Sequence, residues 1–465
     1  MKFKFKKSNN SAKQGAYMLL TKDKSFYREL FGLAAPMALS NLVTFLITLS
    51  DSIMIGRLSE EATASIYVGS LAATVLQMLI TGFESGMTVI GTQYFGRGEN
   101  EKIKRIVSIG TVLIFSVGLI FSAVSIAFGS GITSIFLSGA SERSGAEYLA
   151  TLSLSFPLFA LSGAIVAAMR CVESVNIGVI SSASALITNL LFNYLLIFGK
   201  LGFANLGIKG AAIATIIARA VELSILLIYA FFIDKRLKLK PTSFFKFNKK
   251  MNLEFIKYTS PIVLGQIIWI INTLFSSYVI SLSNTDATVA AFSIANTLGS
   301  LSYIVMNGLS AAVGIIIGKT IGENRLNKIR EYTYSTEIIF VILGIVTSLA
   351  LFLAKNPFVS IYNVSEGAKD AAKSLITVLG FTVIGTSYQS ASLMGIVRGG
   401  GDVSFILKND AFFIFLVVIP ASVAALRLDA PLWVIFLMLK SDQILKCIPA
   451  AIKINRFGWI KKIAK

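Results

Sequence analysis

Along this chain, long apolar runs alternate with short polar breaks twelve times. The runs fall near residues 28–55, 64–90, 104–129, 147–169, 177–199, 209–233, 255–281, 287–317, 333–354, 372–396, 405–426 and 431–453. About 20 apolar residues in a helix cover the hydrocarbon core of a bilayer. The pattern therefore predicts an all-α polytopic membrane protein with twelve transmembrane helices. The longest polar break, 234–254, divides the runs six and six. Six is even, so both halves enter the membrane from the same side and the repeats are parallel. The expected organisation is a tail over 1–27, an N-terminal lobe over 28–233, a linker over 234–254, a C-terminal lobe over 255–453 and a second tail over 454–465.

The two halves also share text. Pro36, Thr48, Leu49, Ser52, Ala62 and Thr63 recur 225 positions later as Pro261, Thr273, Leu274, Ser277, Ala287 and Thr288. After a one-residue slip, Gly82, Gly96, Lys102 and Ile103 recur 226 positions later as Gly308, Gly322, Lys328 and Ile329. Two pseudo-symmetric lobes suit a transporter that rocks about a site between them. The copies differ in their acids: Asp51 is replaced by Ser276, and Glu84 by Ser310. Carboxylates in one copy alone point to cation handling by the N-terminal lobe.

Composition agrees with the membrane class. The chain is 55% hydrophobic and 14% charged, with a mean hydropathy of +0.75, whereas soluble domains average about 25% charged. The net charge of +19 is gathered in the tail (Lys2, Lys4, Lys6, Lys7, Lys13) and the connector (Lys235, Arg236, Lys238, Lys240, Lys246, Lys249, Lys250, Lys257). That asymmetry is the positive-inside pattern. It predicts a plasma (inner) membrane protein with both termini cytoplasmic and basic segments touching anionic lipid. Nucleic acid is not an expected partner, because no soluble domain shapes a groove, and the expected state is a monomer. No cleavable signal peptide is read at the N-terminus. Cys171 and Cys447 both fall near the cytoplasmic face, which argues against a structural disulfide. The absence of histidine excludes imidazole shuttles, His-metal sites and Ser-His triads. No cluster of nucleophile, base and metal ligands suggests an enzyme.

Polar residues at membrane depth are the candidates for chemistry, since they are costly there and usually face a cavity. Asp51 ends an apolar run; it either couples a cation or is solvated or paired with Arg57. Pro36 removes a helix hydrogen bond and can bend the first helix. Asn189 and Asn193 lie four apart on one helix face. They can pair across helices or offer neutral oxygens to a hard cation. Thr215 can add a hydroxyl or bond back to its own helix. Glu84 is either a snorkelling or cavity-solvated side chain at the cytoplasmic mouth, or a second acid that attracts organic cations in a substrate cavity or relays protons. Arg219 and Glu222, three apart, are read as neutralising each other. Lys408, Asp410, Lys440 and Asp442 are read as gate or surface pairs.

Several motifs in order resemble the multidrug and toxic compound extrusion family. They are Pro36 with Asp51-Ser-Ile-Met-Ile-Gly56-Arg57-Leu58, then Gln93-Tyr-Phe-Gly96-Arg-Gly98, then Asn189-Leu-Leu-Phe-Asn193 with Gly210-Ala-Ala-Ile-Ala-Thr215, and Gly395-Ile-Val-Arg398-Gly-Gly-Gly-Asp402. The likeness runs from about residue 25 to 455. It implies export of organic cations, drugs and other amphiphiles in exchange for Na⁺ or H⁺, with no cofactor beyond the coupling ion. Carried over residue by residue, it implies an ion site at Asp51, Asn189 and Thr215, with Tyr148 nearest to a fourth-helix tyrosine used by some members. If the ion is Na⁺, Asp51, Asn189, Asn193 and Thr215 are its expected ligands. Two departures stand out. Asn193 occupies a position where relatives often carry an acid. The stretches comparable to acid-bearing seventh and tenth helices offer only Gln266 and Gln389 to a substrate cavity. An alternative within the same superfamily is a lipid-linked sugar flippase, which uses several basic residues in its cavity; the spans here supply mainly Arg219.

Overall fold

In hydrocarbon every backbone N–H and C=O needs an internal partner, and a helix supplies one within its own segment. The apolar runs accordingly become helices in the computed structural model, which describes residues 20–55, 60–134, 140–240, 248–282, 286–362 and 364–463. The lysines of the N-terminal tail up to Lys13, Arg57, Gly139 and the connector stretch with Lys246 lie outside the described residues.

Before the connector, in the half expected to form the N-terminal lobe, come α1 (Lys24–Ile55), α2 (Glu60–Gly96), α3 (Asn100–Ala127), α4 (Gly129–Ser134), α5 (Ala140–Ser153), α6 (Phe156–Cys171), α7 (Asn176–Phe198) and α8 (Gly207–Ile228). After it, in the half expected to form the C-terminal lobe, come α9 (Lys249–Ser281), α10 (Asp286–Gly322), α11 (Leu326–Ser360), α12 (Glu366–Gln389), α13 (Val403–Phe413), α14 (Ile419–Arg427), α15 (Leu432–Leu439), α16 (Asp442–Leu445) and α17 (Cys447–Asn455). Wide π-type turns extend α8 through Tyr229–Ile233 and α12 through Ser390–Val397, and Ile414–Val418 joins α13 to α14.

Ten of the expected spans are single helices long and apolar enough to cross a membrane. The other two are interrupted. The fourth bends by 42° between its halves, where Pro157 opens α6 and the hydroxyls of Ser153 and Ser155 bond back to the Ala150 and Leu152 carbonyls at 2.7 and 2.6 Å. The twelfth breaks into α15, α16 and α17. Irregular backbone at this depth survives only when buried in protein. Here Gln389 meets that need by donating to the Asp442 and Gln443 carbonyls at 2.9 and 2.6 Å. Several helices also outrun their hydropathy, with α2 ending at Gly96 and α10 at Gly322, because helical bonding continues past the apolar window. Lipid-facing stripes remain apolar: Ile342, Ile345, Leu349 and Leu353 of α11 are all more than half exposed.

The repeat reappears as packing. Gly82 of α2 lies against Val263 of α9, where a methyl group would come within 3.0 Å of the Val263 Cα. Gly308 of α10 lies against Ala38 of α1, where a methyl group would come within 2.8 Å of the Ala38 Cα. Ala38 and Val263 follow Pro36 and Pro261 by the same two places, so the two seams are copies of one another. Small residues permit this approach, as helix association in lipid requires.

Polar contacts close the seam on the side where α1 begins. Lys319 of α10 bridges Glu29 of α1 at 2.8 Å and Glu173 at 2.6 Å. Lys328 holds Asp23 at 2.5 Å. Buried Gln93 donates to the Lys461 carbonyl at 3.1 Å and accepts from the Ile463 N–H at 2.8 Å, tying the C-terminal tail to α2.

Candidate functional site

Asp51 lies twenty-seven residues beyond Lys24 on α1, about 40 Å from the closed side at 1.5 Å per residue. Pro36 sits inside α1. Lacking an N–H, it cannot donate to the carbonyl one turn earlier, yet the helix remains continuous. One turn on, Ser40 fixes α1 to α7 through Ser182 Oγ at 2.9 Å and the Gly178 carbonyl at 3.3 Å. That contact sets the rotation of α1 that turns Asp51 toward α7.

On α7 the spacing of four brings Asn189 and Asn193 together, and both are fully buried. Asn193 Nδ2 donates to Asp51 Oδ1 at 2.5 Å and to Asn189 Oδ1 at 3.0 Å. Asn189 Nδ2 reaches Thr215 Oγ1 of α8 at 3.5 Å. The Thr215 hydroxyl donates to the Ala211 carbonyl at 3.0 Å, which leaves its lone pairs toward Asn189. One carboxylate, two amides and a hydroxyl from three helices therefore form a single chain of polar groups. The buried carbonyl oxygen of Asn193 has no hydrogen-bond partner. An unpaired buried acceptor is costly, and a cation beside Asp51 is the partner its chemistry fits.

Tyr148 is buried against Gly69 of α2. Its hydroxyl lies within the electrostatic reach of Asp51, and among the described residues no hydrogen bond joins the two. Arg219 pairs with Glu222 at 2.7 Å and stacks on the Phe159 ring at 4.6 Å. The suggested pairing of Asp51 with Arg57 involves a residue outside the described ones.

Of the other expected cavity groups, Glu84 and Gln389 are engaged by internal partners. Glu84 packs on Gly163 inside the N-terminal lobe and pairs with Arg170 of α6 at 3.4 Å. The charge offered to an organic cation is thus already balanced within the lobe. Sequence reasoning misses Arg170 because the apolar run closes at residue 169, one position short. Gln389 is a brace for the broken twelfth span, as described above. Gln266 lines a crevice with Pro261, Trp269, Arg398 and Asp410. Lys446, also missed, is wholly buried and holds Asp410 and Asp442 at 2.9 Å each, beneath the Trp269 ring. Asp410 and Asp442 are therefore core partners and not a surface pair. The signal available was the i, i+4 spacing of Asp442 and Lys446. Among the described residues, no group of three or more His, Cys, Asp or Glu is placed to hold a metal ion.

The family model described as MatE matches residues 36–195 and again 261–424, two copies that begin at Pro36 and at its repeat mate Pro261. Similar curated proteins include the "Probable multidrug resistance protein NorM" of Thermotoga maritima, 22% identical over 381 residues, covering 81% of this chain and 80% of that one. A protein of the same name from Bacillus cereus is 26% identical over 387 residues, covering 80% and 82%. Among solved structures, the eukaryotic MATE transporter AtDTX14 superposes with a TM-score of 0.85 at 19% identity, covering 94% of this chain and 97% of that chain. A MOP superfamily transporter from Pyrococcus furiosus superposes with a TM-score of 0.84 at 18% identity, covering 96% and 99%.

Proposed function

From the premise that this chain belongs to the MatE family of membrane transporters, we propose that it is an antiporter. It exports amphiphilic small molecules, including organic cations and drugs, across the plasma membrane in exchange for Na⁺ or H⁺. The observation that carries this reading is the unpaired Asn193 oxygen beside Asp51, within a buried polar chain that the C-terminal repeat does not duplicate. The naming of the relatives as multidrug resistance proteins supports the choice of substrate class.

In this mechanism the seam is closed at the α1 N-terminal side, and the ion reaches Asp51 from the opposite side. Binding displaces the Asn193 amide from Asp51 and turns the α1–α7 contact into an ion-dependent one. Because α1 also packs on α10 through Ala38 and Gly308, a change at Asp51 is passed to the lobe interface along one rigid helix. If a monovalent cation leaves for each ion that enters, the charges cancel and only the ion's concentration gradient drives export.

The flippase alternative gains little from the described spans. Arg219, Arg170 and Lys446 are each held by carboxylates, so these three do not form an open basic cavity, and the carboxylate-free Arg398 adds one base rather than several.

The test is dye efflux from vesicles of reconstituted protein under a Na⁺ gradient alone and a pH gradient alone. Export under one of them is expected; export under neither sinks the proposal. The orientation belongs to the same reading, with both termini cytoplasmic. A single cysteine in place of Lys246 is expected to label only from inside, and one in place of Gly139 only from outside.

A further inference from the structure

At the floor of the seam, Arg398 follows the π turn that ends α12, and its guanidinium is poorly satisfied. Nη1 reaches Ser85 Oγ of α2 at 3.5 Å, Nη2 lies 2.6 Å from the Met394 sulfur, and the buried Nε has no partner. No carboxylate lies within ion-pair distance of it among the described residues. Asp410, the acid on the same crevice, is taken by Lys446 at 2.9 Å. A thioether is a weak acceptor, and a guanidinium presents five donors in a planar fork. Across the crevice, Trp269 Nε1 is a second buried donor without a partner. Gln266, packed on Gly82 of the other lobe, adds an amide.

We propose that Arg398, Trp269 and Gln266 form an oxyanion receptor that takes the carboxylate of an amphiphilic substrate between the two lobes. The inference deepens the export reading above and rests on it. Three considerations join. The unsatisfied groups are donors, so the missing partner is an acceptor. The donor with the greatest capacity is an arginine, whose fork matches a carboxylate through two parallel bonds. Buried acids do not compete for it, because Lys446 engages both Asp410 and Asp442. That triad carries one net negative charge and balances Arg398 at a distance, which lets the guanidinium sit here without a direct partner.

The position gives the receptor a role in transport. Ser85 belongs to the N-terminal lobe and Arg398 to the C-terminal lobe, so their bond is part of the closed seam. A carboxylate bound through the unpartnered Nε and the weakly held Nη2 leaves Nη1 on Ser85, so a bound substrate is tied to the closed seam through one guanidinium.

The test is equilibrium binding of radiolabelled 2-naphthoate and of 2-naphthamide, its neutral isostere, to the purified full chain in detergent. The wild-type protein is expected to bind naphthoate at least about 10-fold more tightly, consistent with the loss expected when a buried charged donor keeps no partner. Arg398→Gln should abolish that preference. Arg398→Lys should retain only part of it, because an ammonium lacks the fork. Trp269→Phe, which keeps the packing and removes the N–H, should lower naphthoate affinity a few-fold and leave naphthamide unchanged. Equal affinity of the wild-type protein for the two ligands overturns the proposal, and this comparison needs no variant to fold. A preference that survives Arg398→Gln overturns it as well. Displacement of naphthoate by phosphatidylglycerol at matched concentration would assign the receptor to a lipid headgroup and overturn the substrate reading. No gradient is present in this experiment, so its failure leaves the vesicle test of ion-coupled export standing, and the converse holds.

Discussion

Gly96 and its repeat mate Gly322 pack against each other's helices at the closed end of the seam. A methyl group on Gly96 would overlap the carbonyl oxygen of Lys319, and one on Gly322 would overlap that of Gln93. Gln93 and Lys319 each stand three places before their glycine, so the contact is the same on both sides of a pseudo-twofold axis. The obstructing atoms are backbone, and they cannot swing away as a side chain would.

Gly96→Val should therefore weaken the closed state. Overpacking a tight contact costs about 1–3 kcal/mol, and here the cost falls on the closed seam while a conformation with that side open escapes it. In a background lacking Cys171 and Cys447, a single cysteine at Ser85 should become more reactive from the α1 N-terminal side in the Gly96→Val protein. Unchanged labelling would show that this contact does not set the lobe equilibrium.

Asp51→Asn keeps the shape of the side chain and removes its charge. Hydrogen bonds to charged groups contribute about 1.5–3 kcal/mol, so ion-driven efflux should fall by roughly 10- to 100-fold. Membrane expression should stay close to normal. Undiminished efflux in vesicles would remove Asp51 from the coupling role.

At Asn193 two replacements should act in opposite directions. Asn193→Leu deletes the 2.5 Å bond to Asp51 and the unpaired oxygen, and should weaken ion dependence more than equilibrium drug binding. Asn193→Asp adds a second carboxylate, and the ion concentration giving half-maximal efflux should decrease. Identical ion titrations for the two variants would refute the cluster as an ion site.

Lys446→Met leaves Asp410 and Asp442 buried without their cation. Breaking a buried pair by removing one partner costs about 3–5 kcal/mol, so a marked loss of thermal stability is expected. Adding Asp410→Asn and Asp442→Asn to that variant should recover much of the loss. If the single variant unfolds at the wild-type temperature, the triad is not a structural core.

Asp23 precedes the membrane span, and hydrogen bonds from Lys328, Ser25 and Tyr332 hold its carboxyl well below the ordinary range. A depressed carboxylate contributes stability that is present above its unfolded value of about 3.9 and is lost only as pH falls through the lower folded one. Between pH 5 and 8 that contribution is constant. Asp23→Asn should lower the unfolding temperature by a similar amount at every pH in this window. A difference that shrinks toward pH 5 would contradict the assignment.

Most of the apolar spans, the duplication and the resemblance to the family were legible in the sequence because each follows from local hydropathy or from residues a fixed distance apart. Asp51, Asn189, Asn193 and Thr215 could be named for a similar reason. A polar group in an apolar run is conspicuous, and helical spacing tells which neighbours share its face. What the chain alone leaves open is which of two polar groups, distant in sequence, meets which. Glu84 reads as a cavity acid until Arg170 is found beside it, and Gln389 reads as cavity lining until its amide is found on the carbonyls of the broken twelfth span. Lys446 looks like one more base near a membrane edge, yet it is the buried centre of a triad. Arg398 stands in a recognisable motif without any sign that its guanidinium lacks a carboxylate. Pairing in a low-dielectric interior depends on distances of a few ångströms between helices, and those distances are fixed by close approaches such as Gly82 on Val263 and Gly96 on Lys319. Only tertiary packing decides which charges are neutralised and which stay available to a ligand.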